Sequence, residues 1–242
     1  MEQRHNQDKH SLLFIIILGM LTAIGPLAID MFLPGLPELK NDFNTTTAHA
    51  QLTLSFFMIG LGIGNLFVGP ISDSLGRKKP LIIVMTIFTL ASLGIIFVHN
   101  IWLMIILRLL QGITGGGAAV ISRAIASDLY KGNELTKFLS LLMLVNGVAP
   151  VIAPALGGII LSVAVWRVIF VILTIFGILM VMGSLTKIPE SLSLEYRDSS
   201  GIKVIFQNFK SLLGTPRFVL PMLIQGVSFI LLFSYKIGRA HV

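Results

Sequence analysis

Long apolar stretches alternate with short polar segments along the whole chain. A helix needs about 20 mostly apolar residues to cross roughly 30 Å of hydrocarbon. Stretches near that length are Leu12–Leu33, Gln51–Ile71, Leu81–Val98, Ile101–Ile121, Phe138–Val163, Val168–Leu185 and Phe218–Phe233. The pattern therefore predicts an all-α membrane protein with six complete spans and the start of a seventh.

The polar connections between these stretches differ in length. His99–Asn100 and Ala164–Arg167 are short enough to predict tight hairpins between neighbouring spans. One long polar stretch, 186–217, is rich in serine and charged residues and predicts a cytoplasmic linker. Within it, Ile202–Leu213 has the pattern of an amphipathic helix that lies on the membrane surface.

Composition agrees with a membrane environment. Hydrophobic residues make up 55% of the chain and charged residues only 12%, which is too little charge to cover a soluble domain of this length. The first apolar stretch is too long for the core of a signal peptide, so we expect it to be retained as span one. The chain has no cysteine, which excludes disulfides and thiolate metal sites.

The distribution of basic residues predicts the orientation of the spans. With a cytoplasmic amino terminus, 13 of the 18 Lys and Arg residues lie in inner segments, and the outer loops hold only Lys40 and Arg167. This asymmetry follows the positive-inside rule. Anionic lipid is the expected partner of the inner charges, so the net charge of +7 does not require nucleic acid.

The turn after span two has a specific order of residue types, Gly69-Pro-Ile-Ser-Asp73-Ser-Leu-Gly76-Arg77-Lys78-Lys79. Gly69 would allow close helix approach in lipid, and Gly76 would permit the chain reversal. Asp73 can accept from free backbone donors or pair with Arg77, and the basic cluster would hold the turn at the anionic surface. The alternative is an ordinary cytoplasmic turn that only obeys the charge rule.

Span five combines prolines with glycines. Pro150 and Pro154 are four residues apart, and Gly147, Gly157 and Gly158 extend the same broad side of the helix. Prolines bend a span, and glycines let another helix pack closely. The pattern predicts a surface that rocks or seals, although a plain packing helix is the alternative.

Two charged residues lie inside spans. Arg108 is about 10 Å below the outer surface and Asp30 roughly 5 Å below it, at 1.5 Å of helix rise per residue. A charge within a span is costly and should face a cavity or a partner. The alternatives are an Arg108 that extends outward or only fixes packing, and an Asp30 that is merely interfacial.

We hypothesise that Asp30 is the titrating group and Arg108 its electrostatic partner, because no other acidic residue lies within the six complete stretches. Burial favours the neutral carboxyl and the cation favours the carboxylate. We expect four residues to line a cavity: Gln111, Gly112, Gly115 and Asn146. The glycines of spans two and four also predict close helix packing: Gly60, Gly62, Gly64, Gly112 and Gly116.

Three of these segments resemble motifs of the major facilitator superfamily. Gly69–Lys79 is similar to motif A, Arg108-Leu-Leu-Gln111-Gly112 to motif B, and Asn146–Gly158 to motif C, which accompanies drug:proton antiporters. Leu27–Pro37 and Arg123–Tyr130 resemble the Bcr/CflA, or bicyclomycin-resistance, exporters within it.

The resemblance implies the six-helix amino-terminal half of this fold plus one truncated span. It also implies that Asp30 and Arg108 matter for proton coupling. A charge network of Asp128 and Arg123 with Asp73 and Arg77 would gate the inward-facing state.

The function expected from the resemblance is multidrug efflux by proton antiport across the bacterial cytoplasmic membrane, with amphiphilic drugs and protons as partners. A proton-coupled nutrient or metabolite transporter of the same fold and a non-transporting membrane scaffold are the alternatives. No phosphate-binding loop for ATP, cofactor site, metal cluster or enzyme constellation is apparent.

The end of the chain departs from the family pattern. Residues 218–235 would begin the second half, and the abruptly polar residues 236–242 are expected to be non-native. The expected organisation is therefore a tail, a six-helix half, a linker, a partial span and a foreign end, at 1–11, 12–185, 186–217, 218–235 and 236–242. We expect the chain to lack the carboxy-terminal half and to be inactive alone.

Overall fold

The computed structural model describes residues 12–197, 211 and 214–239. These belong to two units, of which the first ends at Arg197 and the second begins at Asp198. Six helices of the first unit are long and apolar enough to cross a membrane, as the apolar pattern predicts. We number these helices as spans one to six: Leu12–Asp30, Thr47–Leu75, Lys78–Ile96, Ile101–Leu129, Gly132–Val163 and Arg167–Lys187.

Shorter helices complete the described chain. A 3-10 turn, Leu33–Gly35, and the helix Leu36–Asp42 follow span one, and a second 3-10 turn, Leu194–Tyr196, follows span six. In the second unit one helix covers Pro216–Arg239, four residues beyond the expected end of the seventh span at Tyr235. The proposed surface helix Ile202–Leu213, apart from Ser211, lies outside the described residues, as does the tail 1–11.

Side-chain caps, rather than hydropathy, define where spans two and four begin. The Thr46 side chain accepts a hydrogen bond from the His49 N–H at 3.3 Å and starts span two. Asn100 Oδ1 accepts from the Trp102 N–H at 2.8 Å and starts span four. Such caps satisfy donors that the first turn of a helix leaves free. Because its cap lies beyond the apolar core, span two begins at Thr47, four residues before its apolar stretch.

Spans two and four make the most extensive helix contact in the first unit, and glycine allows it. A Cβ at Gly60 would overlap the Leu109 carbonyl, and one at Gly112 would overlap the Phe57 carbonyl. Gly64 and Gly116 are equally restricted, by backbone atoms of the facing span. The expected packing faces are therefore confirmed for these four. Gly62 is different, because a Cβ there would have no atom within 4 Å.

Polar contacts of the turn between spans five and six join the ends of several spans. The Trp166 indole N–H donates to Asp42 at 3.1 Å, and its backbone N–H donates to Glu38 at 3.1 Å. Arg167 pairs with Asp42 and donates to the Ile96 carbonyl at 3.1 Å. Arg167 thus fixes the ends of spans one, three and six together.

Candidate functional site

Arg108 lies in the interior of the first unit and is 0% exposed. Its Nη1 donates to the Ala28 carbonyl at 3.2 Å and to Gln111 Oε1 at 2.8 Å. Gln111 in turn donates from Nε2 to Ser92 Oγ at 2.8 Å. These bonds connect span four with spans one and three. Because the whole side chain is buried, the alternative of an arginine that extends to the outer surface does not fit.

Three aromatic rings surround the Arg108 guanidinium. Its Cζ lies 4.8 Å from the ring centroid of Phe32, 4.5 Å from Phe57 and 5.5 Å from Phe170. All three rings are fully buried. No pattern in the sequence indicates this arrangement, because the rings belong to segments far apart in the chain.

Asp30 is the last residue of span one and is 2% exposed. It follows Ala28, whose carbonyl accepts from Arg108, by two residues. An exposed interfacial aspartate therefore does not describe this position, because the 3-10 turn and helix that follow span one extend beyond it. The structure places both intramembrane charges in the interior of one unit, and their coupling stays a prediction.

The four residues expected to line a cavity differ in their exposure within the first unit. Gln111, Gly112 and Gly115 are buried. Gly112 is pressed against span two, and a Cβ at Gly115 would contact Ile24. The face of span four that bears these three residues packs inside the bundle, because its glycines leave room for span two. Asn146, on span five, is exposed.

The motif C residues of span five straddle the edge of its packed face. A Cβ at Gly157 would overlap the Met31 carbonyl, so this glycine is required for contact with the end of span one. A Cβ at Gly147 or Gly158 would meet no atom within 4 Å, and the side containing them is open in the first unit. The expectation of one continuous glycine face is corrected to a half-packed, half-open one, with Pro150 and Pro154 at intermediate exposure.

Arg77 joins the end of span two, the start of span three and the end of span four. Its Nη1 donates to Asp73 at 2.5 Å and to Ser72 Oγ at 2.8 Å. Its Nε donates to Asp128 at 2.9 Å. Burial lowers the pKa of Arg77, but the hydrogen bonds and charges of Asp128 and Asp73 outweigh burial and raise this pKa overall. The structure therefore brings together three of the four residues of the expected network.

Arg123, the fourth expected member, is not part of that network. Its Nη2 donates to Asn65 of span two at 3.3 Å, and its Nε to the Ala119 carbonyl at 3.1 Å. The reason is helical geometry, since residues five apart do not share a face whereas residues three or four apart do. The expectation that Gly69 allows a close helix approach is also corrected. A Cβ at this position would lie 3.6 Å from Val120, which is an ordinary contact distance.

The segment after span six completes the turn, which the sequence did not reveal. The Glu190 carboxylate accepts from the backbone N–H groups of Arg77 at 2.7 Å and Lys78 at 3.3 Å. It therefore caps the start of span three from 113 residues away. Ser191 Oγ donates to Asp128 at 2.8 Å. A carboxylate at a helix amino terminus is favourable because free N–H groups and the helix dipole both attract it.

Gly76 and Lys78 fit this arrangement closely. Gly76 has φ +91°, and a Cβ on it would lie 2.6 Å from both Glu190 Oε2 and Arg197 Nη2. The expected reversal at Gly76 is confirmed, and glycine is required there by the backbone as well as by space. Lys78 Nζ donates to the Leu185 carbonyl at 2.9 Å. We call residues 188–197, docked on this turn, the clasp.

Substituting Glu190 with glutamine is expected to loosen the clasp. The amide keeps the size of the side chain but removes the charge that two backbone N–H groups share. Hydrogen–deuterium exchange at Arg77 and Lys78 should become faster by roughly threefold to tenfold, because a neutral acceptor stabilises the donor by about 1 kcal/mol less than a charged one. The matched control is Glu195→Gln, an exposed carboxylate of the same segment, which should leave exchange unchanged. Equal exchange in both variants would contradict the capping role.

Comparison with known proteins identifies the family. The family model described as Major Facilitator Superfamily matches residues 18–237. The chain belongs to the major facilitator superfamily. Within this superfamily it is 41% identical over 241 residues to an uncharacterized MFS-type transporter, YdgK of Bacillus subtilis, covering 98% of this chain and 60% of that protein.

The bicyclomycin-resistance type of the superfamily is also represented among the relatives. A bicyclomycin resistance protein homolog of Haemophilus influenzae is 33% identical over 204 residues, covering 84% of this chain and 51% of that protein. Multidrug resistance protein D of Escherichia coli is 27% identical over 222 residues, 91% of this chain and 55% of that protein. These matches confirm the resemblance that the motifs indicate. The chain spans about half to three fifths of the length of these relatives.

A solved structure supports the same fold. The human organic anion transporter MFSD10 (TETRAN) superposes with a TM-score of 0.61 at 16% identity, over 83% of this chain and 55% of that one. At this identity the match concerns the fold alone. The chain is thus a multi-pass membrane protein with the major facilitator fold.

Proposed function

We propose that this chain forms one half of a multidrug exporter that exchanges drug for protons across the bacterial cytoplasmic membrane, with its amino terminus in the cytoplasm. The names of the bicyclomycin and multidrug resistance relatives support the substrate class. The observation that carries the proposal is the burial of two opposite charges, Asp30 and Arg108, within the membrane-spanning unit. Such charges are expensive in a membrane and mark ion pathways.

In this proposal the Asp30 carboxyl is the proton carrier. It takes a proton from the outer side and releases it to the cytoplasm, while drug moves outward. Protonation removes one negative charge from the neighbourhood of Arg108, so the electrostatics of the bundle interior differ between the two states. A change of that kind can shift the balance between inward- and outward-facing conformations.

The turn between spans two and three would act as the inner gate. Arg77 binds Asp73 and Asp128 and so holds the inner ends of three spans together. The clasp adds span six through Glu190. A connection of this kind can stabilise one orientation of the half and must yield, or move as a unit, when the transporter rocks.

The open side of span five is the proposed contact with a second half. Gly147 and Gly158 are unobstructed there, and Val151 is 75% exposed. Substrate sites of such transporters lie between two repeats. We therefore propose that Asn146 belongs to one wall of the drug site, and that this chain does not transport without a carboxy-terminal half.

The test is proton flux in inverted vesicles that contain the full-length transporter. Adding an exported drug to vesicles with an acidic interior should release protons within seconds, and vesicles carrying the 242-residue chain alone should show no release. Proton movement in the same direction as a nutrient would instead indicate an importer. A protein that moves neither drugs nor protons over a broad panel would be the scaffold alternative, and the proposal would be wrong.

A further inference from the structure

The Arg108 guanidinium leaves much of its hydrogen-bonding capacity unused. A guanidinium carries five N–H donors on three nitrogens. Within the part of the chain that the structure describes, only Nη1 is engaged, while Nε and Nη2 are buried without a hydrogen-bond partner. Unmet donors on a buried charge are costly, so another interaction must stabilise this cation.

The three rings around Arg108 supply that interaction. Phe32 follows span one, Phe57 belongs to span two and Phe170 to span six, and each centroid lies within 6 Å of the Arg108 Cζ. An aromatic face is electrostatically negative and attracts a cation at this distance, most strongly where water is excluded. Phe32 and Phe170 also meet each other edge-on, with centroids 5.2 Å apart. We call Phe32, Phe57 and Phe170 the aromatic cage.

We propose that the aromatic cage is a positioning device that holds the Arg108 charge at one place in both protonation states of the proton carrier. This inference rests on the proposed function, in which the charge of Asp30 appears and disappears in each cycle. A cation that depended on a carboxylate alone would lose its site when that carboxylate is protonated. Ring quadrupoles do not titrate, so the cage keeps a constant positive charge beside the carrier.

The cage residues are therefore positioning residues, and their electrostatic character matters as well as their volume. Fluorine atoms on a phenylalanine ring withdraw electrons and weaken its negative face while changing its size little. Phenylalanine with one, two or three ring fluorines, placed at position 57 of the full-length protein, removes the cation–ring attraction in steps. The matched control is the same series at Phe88, a fully buried ring for which no cation contact is found within residues 12–197.

The first measurement is the thermal unfolding midpoint of the purified protein, which does not depend on transport. Fluorination at Phe57 should lower this midpoint in steps, by roughly 2–4 °C over the series. Fluorination at Phe170, whose centroid is farther from the cation, should lower the midpoint less. Fluorination at Phe88 should not lower the midpoint in steps. Equal slopes at Phe57 and Phe88, or no slope at Phe57, would overturn the cage.

The second measurement is the pH dependence of drug-driven proton exchange. A less firmly held cation stabilises the carboxylate less, so the pH at half-maximal exchange should rise in the Phe57 series and stay constant in the Phe88 series. An unchanged midpoint in both series would overturn the role in coupling. If the unmodified protein shows no exchange at all, the proposed function fails, whereas the unfolding series still decides whether the cage holds Arg108.

Discussion

Replacing Asp30 with asparagine is expected to abolish drug-driven proton exchange while leaving the protein folded. Asparagine has nearly the same shape but does not titrate, so a buried carrier at this position would lose its proton site. The residue is 2% exposed, and bulk water therefore cannot replace the missing carboxyl. The exchange rate should fall by at least about a hundredfold, given the usual size of proton-transfer contributions.

The control for this experiment is Glu195→Gln, which removes a carboxylate from an exposed position after span six. It should preserve exchange, because a solvated carboxylate is not on the proposed proton path. Purified Asp30→Asn protein should elute as the wild type does and unfold at a similar temperature. Normal drug-for-proton exchange by this variant would refute the assignment of Asp30 as carrier.

The membrane-spanning architecture was accessible from sequence because the bilayer restricts the possible structures severely. Backbone groups in hydrocarbon must bond internally, so an apolar stretch of sufficient length becomes a helix. The ends were less accessible. Span two begins at Thr47, after its cap Thr46, whereas its apolar stretch begins only at Gln51, because capping chemistry operates outside the hydrocarbon.

Contacts between spans were only partly predictable, since they depend on the rotation and depth of each helix against its neighbours. Arg77 with Asp73 follows from local spacing, because the two residues are four apart in sequence and flank the turn at Gly76. Glu190 at the start of span three does not, because nothing in a single sequence relates residues so far apart. The aromatic cage is hidden for the same reason, as its rings come from three separate segments.

Span five shows how a correct motif can still be misplaced in space. Ala149, Ala153 and Gly157 form its buried face, whereas Gly147 and Gly158 lie on the open side. The three glycines lie on one broad side of the helix, but only part of that side is packed against another span. Periodicity alone could predict which side holds the glycines, but not which part of it is packed.

Alanine at Gly64 is expected to destabilise the protein, whereas alanine at Gly62, two residues earlier on span two, is expected to be neutral or slightly stabilising. A Cβ at Gly64 would overlap the Ile113 carbonyl, a backbone atom that cannot rotate away, so spans two and four must separate. Overpacking of this kind costs about 1–3 kcal/mol, which lowers the unfolding midpoint of the purified protein by roughly 2–10 °C. A Cβ at Gly62 meets nothing within 4 Å, and alanine is the better helix former. Equal midpoints for the two variants would contradict the close contact of these spans.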